Sequence, residues 1–170
     1  MILIVAGVAG CGKSTVGTLL AKALRWPFAD ADLFHSPANL AKMRSGVALN
    51  DQDRAPWLRK CIEWMDARIE AGESGVLACS VLKRSYRDTL LSGHPTAMII
   101  FLAVSKEELT SRLTGRSGHF FPVRLMESQL DIMEPPEPDE KQVRTVVAEG
   151  SPVVTVSKII AMLWPQGQPT

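Results

Sequence analysis

Residues 7–14 read Gly7-Val8-Ala9-Gly10-Cys11-Gly12-Lys13-Ser14, which is the spacing G-x-x-x-x-G-K-S. The continuous apolar run Ile2 to Ala6 precedes it. After it, Val16, Leu19, Leu20, Ala23 and Leu24 recur at helical spacing. The unit is therefore strand, glycine loop, helix. A strand apolar at every position suits a parallel sheet covered on both faces. A loop of this kind turns its backbone N–H groups inward on phosphate oxygens, and the helix start adds its positive dipole end. The candidate nucleotide-binding residues are thus Gly7, Val8, Ala9, Gly10, Cys11, Gly12, Lys13, Ser14 and Thr15. Lys13 can reach the β- and γ-phosphates, and the Ser14 hydroxyl can ligate Mg²⁺. Kinases and switch proteins share this cradle, so the loop alone leaves the fate of the terminal phosphate open. Cys11 reads as a small side chain at a tolerant position.

Working outward, Phe28 to Asp30 is a short second strand. A helix is predicted over 38–44, stopping at Gly46. Pro56 fits the first turn of a further helix, whose apolar stripe is Trp57, Leu58, Cys61, Ile62, Met65 and Ile69, with Gly72 past its end. Strands follow over 76–79, 97–102 and 143–147. Helices follow over 84–91, from an N-cap at Ser105 to 113, over 123–133 and over 153–163. This alternation predicts an α/β, three-layer fold: a five-stranded parallel sheet flanked by helices, in a single domain spanning 1–170. Gly115-Arg116-Ser117-Gly118-His119-Phe120-Phe121-Pro122 interrupts the pattern, and residues 165–170 read as a flexible tail.

Composition narrows the function classes. The chain has 170 residues and a net charge of +1, with no basic block of the kind nucleic acid requires. Its four Trp are not interleaved with Lys and Arg, so a stacking platform for single strands is not expected. No apolar run is long enough to cross a bilayer. Three cysteines without metal-ligand spacing or a signal peptide point to free thiols and a cytoplasmic setting.

Phe28-Ala29-Asp30-Ala31-Asp32 places two acids at the carboxyl end of a strand, where open parallel sheets bind ligands. If the strand persists to Asp32, one carboxylate faces metal and phosphates while the other faces an acceptor, as a kinase requires. Turn or capping acids are the equally simple alternative.

Several blocks then agree with one family. Asp30-Ala31-Asp32-Leu33-Phe34-His35, Asn39, Lys42-Met43, Gly46 and the run Leu49-Asn50-Asp51-Gln52-Asp53-Arg54-Ala55-Pro56-Trp57-Leu58 resemble the gluconokinase signature. Cys79-Ser80-Val81-Leu82-Lys83-Arg84-Ser85-Tyr86-Arg87-Asp88 resembles its next block. Arg116-Ser117-Gly118-His119-Phe120, Ser128-Gln129 and Met133-Glu134 resemble its lid and the helix after it. The likeness runs to about residue 140. Ala48, Val81 and Pro135 depart from the family pattern at positions peripheral to the chemistry.

The resemblance implies a P-loop kinase fold related to shikimate kinase, with a mobile lid over about 115–123 and a substrate-binding segment over about 32–58. It implies ATP-dependent phosphorylation of D-gluconate at the 6-hydroxyl, with Mg²⁺, by a homodimer. Another aldonate or shikimate is the alternative acceptor. Lys13, Asp32 and Arg116 are the implied catalytic residues, with Asp32 orienting the acceptor hydroxyl. Ser14 and Asp30 serve the metal, and Arg112 and Arg116 the nucleotide. Asp32, His35, Lys42, Arg54, Lys83, Arg87 and His119 are the implied substrate contacts, with Arg54 the leading partner for the substrate carboxylate. A GTPase-like switch would carry a base-reading N-K-x-D motif, and the sequence has none.

Overall fold

The structure, a computed structural model, describes residues 1–114 and 123–167. Five strands form one parallel sheet: β1 (Ile2–Ala6), β2 (Phe28–Asp30), β3 (Gly75–Ala78), β4 (Ala97–Ala103) and β5 (Val143–Val147). Their order is β2-β3-β1-β4-β5. β1 lies at the centre, with Ile4 beside Leu77 of β3 on one side and Ile99 of β4 on the other. The strand order turns at β1, and ligands of open parallel sheets bind beyond the carboxyl ends of strands at such a turn. The glycine loop begins there.

Seven helices cover the sheet among the described residues: α1 (Lys13–Leu24), α2 (Pro37–Arg44), α3 (Asp51–Glu70), α4 (Arg84–Leu91), α5 (Lys106–Thr114), α6 (Val123–Ile132) and α7 (Pro152–Leu163). Alternation along β1 divides the core in two. Ile2, Ile4 and Ala6 pack with Trp57, Cys61 and Met65 of α3 and Leu90 of α4. Leu3 and Val5 pack with Val16 and Leu20 of α1, Leu109 of α5 and Ile159 of α7. Both faces of the sheet are buried, which is why the strands read as continuous apolar runs. Trp26 meets Trp164 edge-on at 6.0 Å between ring centres, fastening the chain after α1 to the end of α7. Among the described residues, no helix is long and apolar enough to cross a membrane.

One expectation about the chain before the site needs correcting. Helix α3 starts at Asp51, five residues ahead of Pro56. Asn50 starts it with a reciprocal capping box: its side chain accepts from the Asp53 N–H at 2.8 Å, and the Asp53 carboxylate accepts from the Asn50 N–H at 3.1 Å. Pro56 then sits in the second turn, where the hydrogen bond it forgoes lies on an exposed face. Strand β2 has its expected bounds and so does not persist to Asp32. It ends at Asp30, and Ala31–Phe34 form a 3₁₀ turn. The Asp30 carboxylate accepts from the Asp32 N–H at 3.1 Å, and the Trp57 indole donates to the Ala31 carbonyl at 2.7 Å. These two bonds, not strand alternation, set the direction of Asp32.

The expected lid, with Arg116 and His119, lies outside the described residues, as does 168–170 of the expected tail. Residues 165–167 form a turn in which the Gly167 N–H donates to the Trp164 carbonyl at 3.1 Å.

Candidate active site

A cleft of about 530 Å³ opens at the carboxyl edge of the sheet, bounded by the glycine loop on one side and α2, α3 and α6 on the other. Gly7, at φ 135°, lies so close to its neighbours that a Cβ would meet Cys11 Sγ at 2.9 Å and the Leu102 carbonyl at 3.0 Å. Gly12, at φ 104°, takes the left-handed conformation that launches α1. Both backbone requirements favour glycine. Lys13, Ser14 and Thr15 line the cleft, and Lys13 Nζ donates to the Val8 carbonyl at 3.1 Å.

Ser14 Oγ donates to Asp30 Oδ2 at 2.5 Å. Two adjacent hard oxygen donors are the ligand type Mg²⁺ takes, with phosphate oxygens and water completing its shell. The donor set therefore fits that ion.

Asp32 lines the cleft and is exposed to solvent there, with surrounding protein atoms that partly desolvate its carboxylate. That desolvation, reinforced by the Asp30 carboxylate, raises its pKa against the opposing pull of Lys13 and Arg54. His35 is buried in the same wall, stacked on Trp57 at 4.8 Å with the rings 8° from parallel. Desolvation first, and Arg54 second, lower its pKa to about 4, so the ring is neutral at neutral pH. A depressed folded-state value means the unfolded chain binds the proton more readily. His35 therefore contributes stability that is present above the ordinary value of 6.5 and lost as pH falls toward 4. His35→Phe keeps the stack without the titration, so its melting temperature should fall less steeply over that window than the wild type's, as read by a thermal melt at each pH.

The four expected cations of the acceptor site separate clearly. Arg54 is buried, lines the cleft, donates from Nε to the Leu49 carbonyl at 3.3 Å and lies 5.8 Å from the Tyr86 ring centre. Of the four, it alone forms no salt bridge among the described residues. Lys42 is committed to Asp53 at 2.7 Å, which reinforces the α3 capping box. Lys83 binds Asp51 at 2.7 Å and sits 5.4 Å from the same Tyr86 ring, in an adjoining cavity of about 540 Å³. The Tyr86 hydroxyl also donates to Asp51, and these two donors hold the Asp51 carboxyl below its ordinary pKa.

Arg87 corrects the expectation of a substrate contact. It is fully buried and forks onto Glu140 at 2.6 and 2.7 Å, while Nη1 donates to the Leu82 and Glu134 carbonyls. Its guanidinium is used up in tying α4 to the segment before β5. Arg87→Lys loses the planar fork and should lower the melting temperature by several degrees while leaving acceptor KM unchanged, as measured by calorimetry beside steady-state kinetics.

Arg112 lies against the nucleotide side. It donates to the Cys11 carbonyl at 2.9 Å and the Ala148 carbonyl at 2.7 Å, and pairs with Glu108 at 2.9 Å. It thus braces the glycine loop against the connection between β5 and α7. Cys11 is buried, and burial raises its thiol pKa. Cys61 and Cys79 are buried too, with their sulfurs 3.9 Å apart.

Ser80 and Gln129 also line the cleft and are not among the expected site residues. Ser80 had a positional signal, since it lies two residues past the carboxyl end of β3. Gln129 had none beyond its family block, because its contact crosses most of the chain: its Oε1 accepts from the Ala9 N–H at 2.7 Å.

A central parallel strand feeding a glycine cradle, with Asp32 and Arg54 lining the same cleft, defines a small-molecule P-loop kinase. A family model for shikimate kinase matches residues 9–161. The chain is 44% identical to a gluconokinase of Gluconobacter oxydans, over 93% of this chain and 88% of that one. Among solved structures, a sugar kinase from Janibacter sp. superposes with a TM-score of 0.89 at 41% identity, covering 95% of this chain and 93% of that one. A gluconokinase from Sinorhizobium meliloti superposes with a TM-score of 0.81 at 35% identity, covering 98% and 97%. The chain belongs to the gluconokinase family.

Proposed function

We propose that this kinase transfers the γ-phosphoryl group of ATP to the 6-hydroxyl of D-gluconate, giving 6-phosphogluconate and ADP. The observation that carries this reading is the convergence of Lys13, Asp32 and Arg54 on one cleft. The family relatives favour gluconate as acceptor over shikimate.

In this reading the glycine-loop amides and Lys13 hold the polyphosphate and neutralise charge that grows during transfer. Ser14 and Asp30 would hold Mg²⁺, which supplies further neutralisation of the phosphate oxygens. Asp32 accepts a hydrogen bond from the acceptor hydroxyl, orients its oxygen toward the γ-phosphorus and takes the proton as the P–O bond forms. Its crowded site suits this role, because a carboxylate held at some cost is a better proton acceptor. Arg54 forks onto the sugar-acid carboxylate. His35, neutral, offers a ring nitrogen to substrate hydroxyls. Lys42 and Lys83 act at one remove, through Asp53 and Asp51. The family resemblance assigns Arg116 to the phosphates and His119 to the substrate, both outside the described residues, and Arg112 supports the nucleotide side. The same reading takes the chain as a cytoplasmic homodimer working in carbohydrate metabolism.

The test is a coupled ADP-release assay with ATP and Mg²⁺ across gluconate, other aldonates and shikimate. Turnover with gluconate well above the others is expected. No ADP above background with gluconate would overturn the substrate assignment.

A further inference from the structure

We propose that Gln129 is a displaceable cap on the glycine loop: its carboxamide oxygen holds the Ala9 N–H until a nucleotide polyphosphate takes that hydrogen bond over. The proposal rests on the reading of the loop as a triphosphate cradle. Ala9 occupies the third position of the loop, between Gly7 and Gly12, and lines the cleft. There it donates to Gln129 Oε1 at 2.7 Å. Both residues line the same cleft as Lys13 and Ser14. Lys13 Nζ is likewise satisfied by a protein acceptor, the Val8 carbonyl. Two donors of the cradle are thus engaged by neutral oxygens of the chain itself.

The chemistry of the capping group matters. A half-buried N–H left bare costs free energy, so an acceptor at this point stabilises the empty loop. A carboxamide oxygen provides that acceptor without a negative charge. A carboxylate of the same length would bind the N–H more strongly and would also repel an incoming polyphosphate. The exchange is reversible: as the nucleotide arrives, the Ala9 N–H passes from Gln129 to a phosphate oxygen, and the carboxamide turns into the cleft. On departure the cap re-forms.

A permanent structural tie makes the opposite prediction, since it would persist with nucleotide bound. The two are separated by direct binding of the hydrolysis-resistant analogue β,γ-imido-ATP with Mg²⁺, by titration calorimetry on the full chain. Gln129→Ala and the shorter Gln129→Asn remove the competitor, so each should bind the analogue about two- to tenfold more tightly than the wild type. Gln129→Glu should bind it at least about tenfold more weakly. Substitution of a merely structural residue would weaken binding in all three variants. A second readout is the Ala9 amide resonance in ¹⁵N-labelled protein. In Gln129→Asn it should move relative to wild type in the nucleotide-free state and coincide with wild type once the analogue is bound. A shift of equal size in both states, or unchanged or weaker binding by Gln129→Ala and Gln129→Asn, would overturn the proposal. Failure of the wild-type chain to bind the analogue would overturn the cradle reading itself, and the cap with it.

Discussion

Asp32→Asn is expected to lower kcat by about two to four orders of magnitude, the range for losing a positioned proton acceptor. The KM for ATP should stay within about threefold of wild type, because the glycine loop and Lys13 are untouched. The substitution is nearly isosteric, so the Trp57 and Asp30 bonds that shape the turn remain available. Stability should move the other way. The folded-state pKa of Asp32 is raised above the ordinary 3.8, so the fold prefers the protonated group. Stability from that preference is present at low pH and lost as pH rises through the raised value. Asparagine mimics the protonated form, so the variant should melt above wild type at pH 7, and the gap should close as pH falls below 3.8. In the wild type, kcat/KM should decline as pH falls through the same raised value. Near-normal turnover by Asp32→Asn would remove Asp32 from the proton-accepting role.

Arg54→Ala is expected to raise the KM for gluconate by about one to two orders of magnitude, as for loss of a charge-assisted bidentate contact. ATP affinity should change by less than about threefold. Lys42, Lys83 and Arg87 each have a carboxylate partner within the chain, at 2.6 to 2.7 Å, whereas among the described residues Arg54 meets a carbonyl and an aromatic face and forms no salt bridge. Arg54→Lys should recover only part of the affinity, because a point charge does not reproduce the fork. An unchanged gluconate KM in Arg54→Ala would send the carboxylate to another cation.

The fold was legible because the central strands β1, β3 and β4 read as unbroken apolar runs, and the bounds of β5, a mixed strand at the edge of the sheet, were also read to the residue. The start of α3 was misplaced because Pro56 gave the louder signal, although Asn50 and Asp53 already spelled a capping box. The turn after β2 was hidden for a different reason. It is closed by Trp57, which lies 26 positions further along, and no local pattern encodes that bond. Cationic side chains posed the hardest problem. The motif ranked Arg54 ahead of Arg87 but made both substrate contacts, whereas Arg54 lines the cleft and Arg87 is spent on Glu140. Only the fold shows that Glu140 lies within reach of Arg87. The Gln129 contact to Ala9 is likewise a product of tertiary placement.

The burial of all three thiols has a practical use. A cysteine-specific fluorophore has no exposed target on the native described fold. Leu33, next to Asp32, is 83% exposed and takes no part in the packed core. Leu33→Cys would therefore accept one dye at one known place beside the acceptor side of the cleft. Its emission could report ligand arrival in real time, with no native cysteine first replaced.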